Sequence, residues 1–216
     1  MDKRQFLIAG ATVVVLAGAG GVWMYQNRTV TVPKRGGDLM TPSPLGEQAI
    51  GQASAPVTII EYASMTCPHC AHFHETTYPE LKKRYIDTGK VRFIFREFPL
   101  DSVAATAFMV ARCADKDKFF PLIEAMFQQQ NTWAVGPPAS PLPGLLSIAK
   151  QTGMTEEAFN ACLKNQTVLD GIKWTADNGN DLGVQSTPSF FINGKLYAGA
   201  LTIEQIEKAV APFLNS

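Results

Sequence analysis

Two cysteines separated by two residues are the side chains of this chain best suited to do chemistry. Cys67, Pro68, His69 and Cys70 form a C-x-x-C motif, and such a pair serves either thiol–disulfide exchange or metal binding. Exchange requires a thiolate, which a depressed pKa supplies. A helix is predicted to start at this motif, so unpaired N–H groups and a partial positive charge would stabilise a Cys67 thiolate. We therefore assign Cys67 as the nucleophile and Cys70 as the resolving thiol.

The two residues between the cysteines favour the same chemistry. Pro68 fits the first turn of a helix, where its missing N–H is harmless. His69 can place a further donor or positive charge near the Cys67 sulfur. The helix N-terminus and His69 favour the thiolate and therefore the reduced form, and a protein that is stabilised when reduced is a strong oxidant.

The three histidines of the chain, His69, His72 and His74, all lie beside the cysteine pair, so a metal site is an alternative. His72 and His74 are two residues apart and would point about 200° away from each other on a helix. Only His74 shares a face with Cys70. We expect His72 and His74 at the helix surface rather than as metal ligands. Metal binding through Cys67, Cys70 and His74 stays open, as does a purely structural disulfide.

The elements that must position the motif begin with a β-branched run at residues 57–62, which predicts a buried strand leading to Cys67. A stripe with a four-residue period follows and predicts a helix with a kink at Pro79. Residues 91–98 alternate and are rich in aromatic side chains, which predicts a second strand. From residue 101 to about 183 the pattern is helical.

The C-terminal part of the chain returns to strand character at residues 189–192. Asn193 and Gly194 form the preferred two-residue hairpin turn, and a partner strand follows. A Thr202–Gln205 capping box predicts the start of a last helix. This helix is expected to bury Ile203, Ile206, Val210 and Phe213. The order of elements indicates an α/β sheet interrupted by a helical insertion.

The N-terminus indicates export. Lys3 and Arg4 precede an uncharged run from Phe6 to Tyr25, which predicts a secretory signal peptide or an uncleaved membrane anchor in residues 1–26. Residues 27–55 are predicted to be a linker, with at most a short edge strand at residues 30–32. The folded domain is expected over residues 56–216. Lys plus Arg and Asp plus Glu number 19 each, so the charge balance indicates no nucleic-acid partner.

Two motifs together carry a resemblance to a known family. Glu61 and the Cys67–Cys70 motif, followed downstream by a segment at residues 183–194 that contains Thr187 and Pro188, resemble the DsbA-like branch of the thioredoxin superfamily. The resemblance implies a thioredoxin fold with an inserted α-helical domain at about residues 101–182. It also implies a cis Thr187–Pro188 bond that faces the cysteines and pairs with substrate backbone.

The same resemblance implies roles for further residues. Glu61 would be the buried acid below the active site, exchanging a proton with the Cys70 thiol through water. Cys113 and Cys162, one on each of two predicted helices of the insertion, would form a structural disulfide, as in some DsbA-like proteins, rather than two buried free thiols or a second redox relay. Met65 and Thr66 precede Cys67 where the best-known members have bulkier aromatic residues, so substrate preference does not transfer.

The function that the resemblance implies is a periplasmic or otherwise extracytoplasmic thiol:disulfide oxidoreductase, either free or anchored in the inner membrane. It would donate its disulfide to reduced, newly exported polypeptides through a mixed disulfide at Cys67. A DsbB-like quinone-linked membrane protein would reoxidise it, and the enzyme itself would need no cofactor or metal. The alternatives are a disulfide isomerase or reductase of the same fold, a metal-binding Cys/His module, and an exported binding module with structural cysteines.

Overall fold

A mixed β-sheet forms the centre of the protein, for which a computed structural model describes residues 38–134 and 141–214. Its strands are β1 (Gln48–Ile50), β2 (Val57–Ala63), β3 (Val91–Glu97), β4 (Ser189–Ile192) and β5 (Lys195–Ala198). They lie in the order β1-β3-β2-β4-β5, with β2 parallel to β3 and the other pairs antiparallel. The central strand β2 is buried at every position except Thr58, which is partly buried, because it is covered on both faces. Its C-terminal end leads to Cys67.

The first strand corrects the predicted domain boundary. β1 pairs antiparallel with β3, although it lies within residues 27–55, where we expect a linker. Arg96 donates to Glu47 Oε2 at 3.1 Å, and Arg112 donates to the Gly46 carbonyl at 2.8 Å. These contacts attach the segment around β1 to the rest of the fold, so residue 56 is too late a start for the folded domain.

The predicted signal peptide or anchor at residues 1–26 and the edge strand at residues 30–32 lie outside the described part of the chain. Within the described ranges, no helix is both long and apolar enough to cross a membrane.

The helices divide into those of the sheet unit and those of an insertion. They are α1 (Pro68–Thr76), α2 (Tyr78–Leu81), α3 (Ser102–Cys113), α4 (Phe119–Gln128), α5 (Gln130–Trp133), α6 (Leu142–Gln151), α7 (Glu156–Cys162), α8 (Gln166–Asp181) and α9 (Ile203–Leu214). Helices α3 to α8 stand between β3 and β4 in the chain, which makes them the inserted α-helical domain of a thioredoxin fold. Helices α1, α2 and α9 accompany the sheet.

The helix that starts at the cysteine motif is interrupted where the sequence predicts a kink. Helix α1 ends at Thr76 and α2 begins at Tyr78. Pro79 has no N–H to donate to the Glu75 carbonyl, so the regular hydrogen-bond ladder cannot continue through it. A π-helical turn at Lys82–Ile86 follows α2, and Gly89, with a φ of +76°, leads into β3.

Aromatic side chains join the insertion to the sheet. Phe95 of β3 contacts Phe119 and Phe127 of α4, with ring centroids 5.9 and 6.5 Å apart. Asp101 caps α3 by accepting from the Ala104 N–H at 2.7 Å. Helix α4 also packs against α1, which begins at the cysteine motif.

The C-terminal elements follow the sequence pattern except at two residues of α9, of which Ile203 is only partly buried rather than buried as expected. Asn193 and Gly194 both have positive φ values, +43° and +87°, as a two-residue hairpin turn requires. The Thr202 N–H donates to Gln205 Oε1 at 2.8 Å, which forms one half of the capping box. The expectation that Phe213 is buried is wrong. It is 38% exposed and lines an open groove of about 510 Å³ with Leu201, whereas Leu214 of the same turn is partly buried against the core.

Candidate active site

The cysteine motif occupies the start of α1. Cys67 is the N-cap, with an extended backbone (φ −80°, ψ 119°), and Pro68 occupies the first turn. Cys67 is 6% exposed, and Cys70 is fully buried beneath it. Both cysteines are free thiols in this structure. Cys67 is therefore the sulfur that a second molecule can reach.

Hydrogen bonds fasten the loop before Cys67 to the start of the insertion. The Thr66 hydroxyl donates to Asp101 Oδ2 at 2.7 Å, and the carboxylate of Asp101 also caps α3. The Leu100 N–H donates to the Ser64 hydroxyl at 3.2 Å. The position of Cys67 thus depends on contacts between the sheet and the helical domain.

The surroundings of Cys67 lower the pKa of its thiol to about 5. The largest cause is a hydrogen bond from the Cys70 side chain. Burial acts in the opposite direction, and the Thr187 side chain and the backbone N–H groups of Cys70 and His69 add to the lowering. Donors that point at a sulfur stabilise its charged form. Cys67 is accordingly a thiolate at neutral pH.

The buried partner has the opposite property. The pKa of the Cys70 thiol is raised well above its ordinary value, first by burial, then by its hydrogen bond to Cys67, and then by the nearby charge of Glu61. The two sulfurs of one motif therefore differ in protonation at neutral pH. One is a nucleophilic thiolate near the surface, and the other is a protonated thiol inside.

The Thr187–Pro188 peptide bond is cis and lies against the cysteines. Cys67 Sγ lies 3.3 Å from the Thr187 carbonyl oxygen. The loop is held by a hydrogen bond of 2.7 Å from the Ser189 hydroxyl to the Ser186 carbonyl. The structure thus brings together the two segments that carry the sequence resemblance.

Glu61 is fully buried in β2, below the cysteine motif. Its Oε2 lies 2.8 Å from Nε2 of His74. His74 is 5% exposed, so the expectation that it lies at the helix surface is wrong. The aromatic side chain of Phe127 covers this face of α1, and the ring centroids of Phe127 and His74 are 4.4 Å apart. Helical periodicity cannot reveal a cover that comes from a distant helix.

The other two histidines lie at the surface. His69 is exposed in the first turn of α1, and His72 is exposed one turn further on. In residues 38–134 and 141–214, no three His, Cys, Asp or Glu side chains are grouped so that they could hold a metal ion.

Gln130 is a site residue that the sequence does not reveal. It is 4% exposed at the start of α5, and its Nε2 donates to the Met65 carbonyl at 2.8 Å and to the Cys67 carbonyl at 3.1 Å. A single amide thus holds the backbone on both sides of Thr66. A glutamine in a helical region carries no local signal for such a contact.

The second cysteine pair lies in the insertion. Cys113 ends α3 and Cys162 ends α7, and the two form a disulfide with a Cα–Cα distance of 6.0 Å. The bond joins two helices of the insertion and is separate from the Cys67–Cys70 pair.

A thioredoxin fold with an inserted helical domain, a dithiol at a helix N-terminus and a cis-proline beside it defines the DsbA-like class of proteins. Comparison with known proteins agrees with this class. The family model described as Thioredoxin matches residues 44–211. The chain belongs to the thioredoxin family, in its DsbA-like branch.

Relatives and solved structures support this placement. A Rickettsia felis protein named as a protein-disulfide oxidoreductase is 35% identical over 169 residues, which cover 76% of this chain and 59% of that protein. The crystal structure of alpha-DsbA1 from Wolbachia pipientis superposes with a TM-score of 0.76 at 31% identity, over 83% of this chain and 96% of that one. Oxidised BdbD from Bacillus subtilis superposes with a TM-score of 0.72 at 25% identity, over 81% and 96%. The chain thus spans about three fifths of the length of the Rickettsia relative.

Proposed function

We propose that this chain is an exported thiol:disulfide oxidoreductase that donates the Cys67–Cys70 disulfide to newly exported polypeptides. The proposal rests on the difference between the pKa values of the two thiols. The pKa of Cys67 is lowered to about 5, and that of Cys70 is raised. At neutral pH the Cys67 thiolate stabilises the reduced protein relative to the disulfide form. A protein that is stabilised when reduced transfers its disulfide readily to a substrate.

The reaction begins when a substrate thiolate attacks Cys67 Sγ in the oxidised enzyme. The bond between Cys67 and Cys70 breaks, its electron pair leaves on Cys70, and a mixed disulfide joins Cys67 to the substrate. A second substrate thiolate then attacks the substrate sulfur and releases Cys67 as a thiolate. A sulfur with a low pKa is a good leaving group. The substrate loses two electrons and gains a disulfide, and the enzyme keeps both electrons as a dithiol.

Glu61 supplies the proton that this reaction requires at Cys70. The raised pKa of Cys70 means that its sulfur takes up a proton once it is released. Glu61 lies close enough for its charge to act on that thiol, and its Oε1 has no hydrogen-bond partner in the described part of the chain. A carboxyl group in this place can give the proton, directly or through water, and take it back when the enzyme is reoxidised.

The segment around Pro188 would bind the substrate backbone. The Thr187 carbonyl lies beside Cys67 Sγ, so an extended segment paired with Thr187 would bring its own cysteine to the reactive sulfur. His69 is exposed at the same edge, and its backbone N–H contributes to the lowered pKa of Cys67. We assign Thr187 and His69 to the site on these grounds.

Export and reoxidation complete the proposal. The basic residues and apolar run of residues 1–26 fit export as a cleaved signal or as an inner-membrane anchor. The periplasm or another extracytoplasmic space would let the Cys113–Cys162 disulfide persist. The reduced enzyme would pass its two electrons to a DsbB-like, quinone-linked membrane protein.

The experiment that tests this function is the oxidation of a reduced peptide with two cysteines by the preoxidised protein. We expect turnover by the wild type and none by Cys67→Ser. A Cys113→Ala/Cys162→Ala double variant serves as a control that should keep its activity. The reduction potential, measured against glutathione, should be more oxidising than the value of about −270 mV found for thioredoxin.

Two results would contradict the oxidase. A potential as reducing as that of thioredoxin would favour a reductase. Faster refolding of a scrambled disulfide protein than oxidation of the peptide would favour an isomerase. Export is tested separately by fusing residues 1–55 to an alkaline phosphatase without its own signal, because that enzyme is active only outside the cytoplasm.

A further inference from the structure

The buried contact between Glu61 and His74 has no assigned purpose in the reaction above. The contact joins Oε2 of Glu61 and Nε2 of His74 at 2.8 Å, and the two residues are 0% and 5% exposed. In the described part of the chain, the remaining atoms of the pair, Oε1 and Nδ1, have no hydrogen-bond partner. A buried pair that leaves one polar atom on each side chain free requires an explanation.

Aromatic contacts fix the orientation of the imidazole. The ring stacks on Phe127 of the insertion with an interplanar angle of 22°. Tyr78 lies against it at 4.8 Å, and Phe73 packs edge-on at 5.5 Å. With neighbours from α1, α2 and α4, the ring keeps Nε2 directed at Glu61.

The free Nδ1 indicates which ring nitrogen carries the proton. If Nδ1 were protonated, a buried N–H donor would lack an acceptor, and an unsatisfied buried donor is costly. A neutral imidazole with its proton on Nε2 donates to the carboxylate and leaves Nδ1 as an unprotonated nitrogen. The geometry therefore favours the Nε2–H form.

Of the described ionisable groups near the pair, Cys70, Tyr78 and Glu124 carry no positive charge. Cys70 lies on the same helix as His74, and Tyr78 approaches from α2. Besides burial, the negative charge of Glu124 in α4 helps to raise the pKa of Tyr78. From β3 the ring meets the uncharged Phe95. A fully buried carboxylate is destabilised by the loss of water unless a donor compensates. Among the described groups around the pair, the N–H of His74 is the donor placed to do so.

We propose that His74 is a positioning residue for proton transfer to Cys70. It donates its Nε2–H to Glu61 Oε2, which fixes the orientation of the carboxyl group and leaves Oε1 to exchange the proton. On substrate oxidation the proton moves from Oε1 to the Cys70 thiolate, which leaves Glu61 as a carboxylate. On reoxidation Cys70 returns its proton to Oε1, while His74 keeps its own proton throughout. The inference rests on the proposed oxidase function.

The test compares His74→Leu, which removes the donor, with His74→Gln, which restores an N–H at the same reach. His72→Gln on the exposed face of the same helix is the matched control. The rate of reaction between the oxidised protein and a reduced peptide is measured from pH 4 to pH 9 and expressed per substrate thiolate.

We expect the reaction rates of the wild type and of His72→Gln to fall above the same pH midpoint. In Glu61→Gln this fall in rate at high pH should be absent. In His74→Leu the midpoint should move up by at least about one pH unit, because the buried carboxylate has lost its donor. His74→Gln should return it to within about half a unit of the wild type. The thiolate absorbance of Cys67 serves as a second readout and should stay unchanged in all His74 variants, since the donors that lower its pKa are those of Cys70, Thr187 and the backbone.

A His74→Leu profile that superimposes on the wild-type profile would overturn the role of His74 while leaving the oxidase intact. Absence of turnover in the wild type would instead overturn the oxidase. Histidine nitrogen NMR on the wild type decides the inference even if His74→Leu does not fold or turnover is absent. We expect Nε2 protonated and Nδ1 unprotonated, with a change in the Nε2 signal in Glu61→Gln. A proton on Nδ1 would overturn the proposal.

Discussion

The sulfur of Cys67 lies 3.3 Å from the carbonyl oxygen of Thr187, although the two residues are 120 positions apart in the chain. The sheet produces this contact. β2 and β4 are antiparallel neighbours, with Tyr62 opposite Ser189. The loop that leaves β2 and the loop that enters β4 therefore meet at one edge of the sheet. The nucleophile and the cis-proline loop are joined by strand pairing rather than by any local motif.

The first prediction concerns the origin of the low pKa of Cys67. A hydrogen bond from Cys70 is its largest cause, so Cys70→Ala should raise the pH midpoint of the Cys67 thiolate absorbance at 240 nm by at least about one unit. Cys70→Ser keeps an O–H donor and should hold the midpoint closer to about 5. Equal midpoints in the two variants would show that the backbone donors, not the Cys70 side chain, set the pKa.

The second prediction concerns stability and pH. The pKa of Cys67 is about 5 in the folded reduced protein and near 8.5 in an unfolded chain. Between these values the unfolded chain binds one more proton at Cys67, so the free energy of unfolding of the reduced protein should rise with pH by up to about 1.4 kcal/mol per unit. Below pH 5 both states are protonated, and the contribution is lost.

Urea unfolding of the reduced and oxidised proteins at several pH values measures this effect. The oxidised protein has no thiol at Cys67 and is the control for all other titrating groups. The difference between the two free energies should grow from pH 5 to pH 8. Parallel curves would mean that the thiolate does not stabilise the reduced fold.

The third prediction concerns Gln130, whose amide donates to the carbonyls of Met65 and Cys67. Gln130→Leu keeps the approximate volume but leaves both buried carbonyls without this donor, which should lower stability by about 1–3 kcal/mol. It should also slow the reaction of Cys67 with a reduced peptide, because the loop is less firmly placed. Gln128→Leu, on an exposed position of α4, should change neither quantity. Loss of stability without any change in rate would limit Gln130 to a structural role.

The parts of the site that could be predicted are those with a local signal. Cys67, Cys70 and the strand before them follow from residue type and spacing, and Pro188 was assigned from a second motif. The strand β1 had no such signal because it contains three residues, and its existence depends on pairing with β3. A pattern this short cannot be distinguished from an extended linker.

His74 and Gln130 show a second limit of prediction. The sequence indicates which residues share a helical face, but not which face another part of the chain will cover. Phe127 covers His74, and the fold of the insertion brings Gln130 to the loop of Cys67. Both contacts are made between the insertion and the sheet unit, so they depend on how the two pack together. Phe213 shows the opposite error: the helical periodicity predicts that it is buried, but no other part of the described chain covers it fully and it remains exposed.

The fourth prediction concerns the Cys113–Cys162 disulfide. The bond closes a loop with a sequence separation of 49 residues, and such a closure restricts the unfolded chain. The Cys113→Ala/Cys162→Ala double variant should therefore lose about 2–4 kcal/mol of unfolding free energy. The measurement is urea unfolding of the variant and the wild type, both with Cys67 and Cys70 oxidised. The reduction potential of the Cys67–Cys70 pair should remain the same, because the two pairs lie in separate places. A large shift in that potential would contradict a purely structural bond and would indicate that the insertion transmits its redox state to the active site.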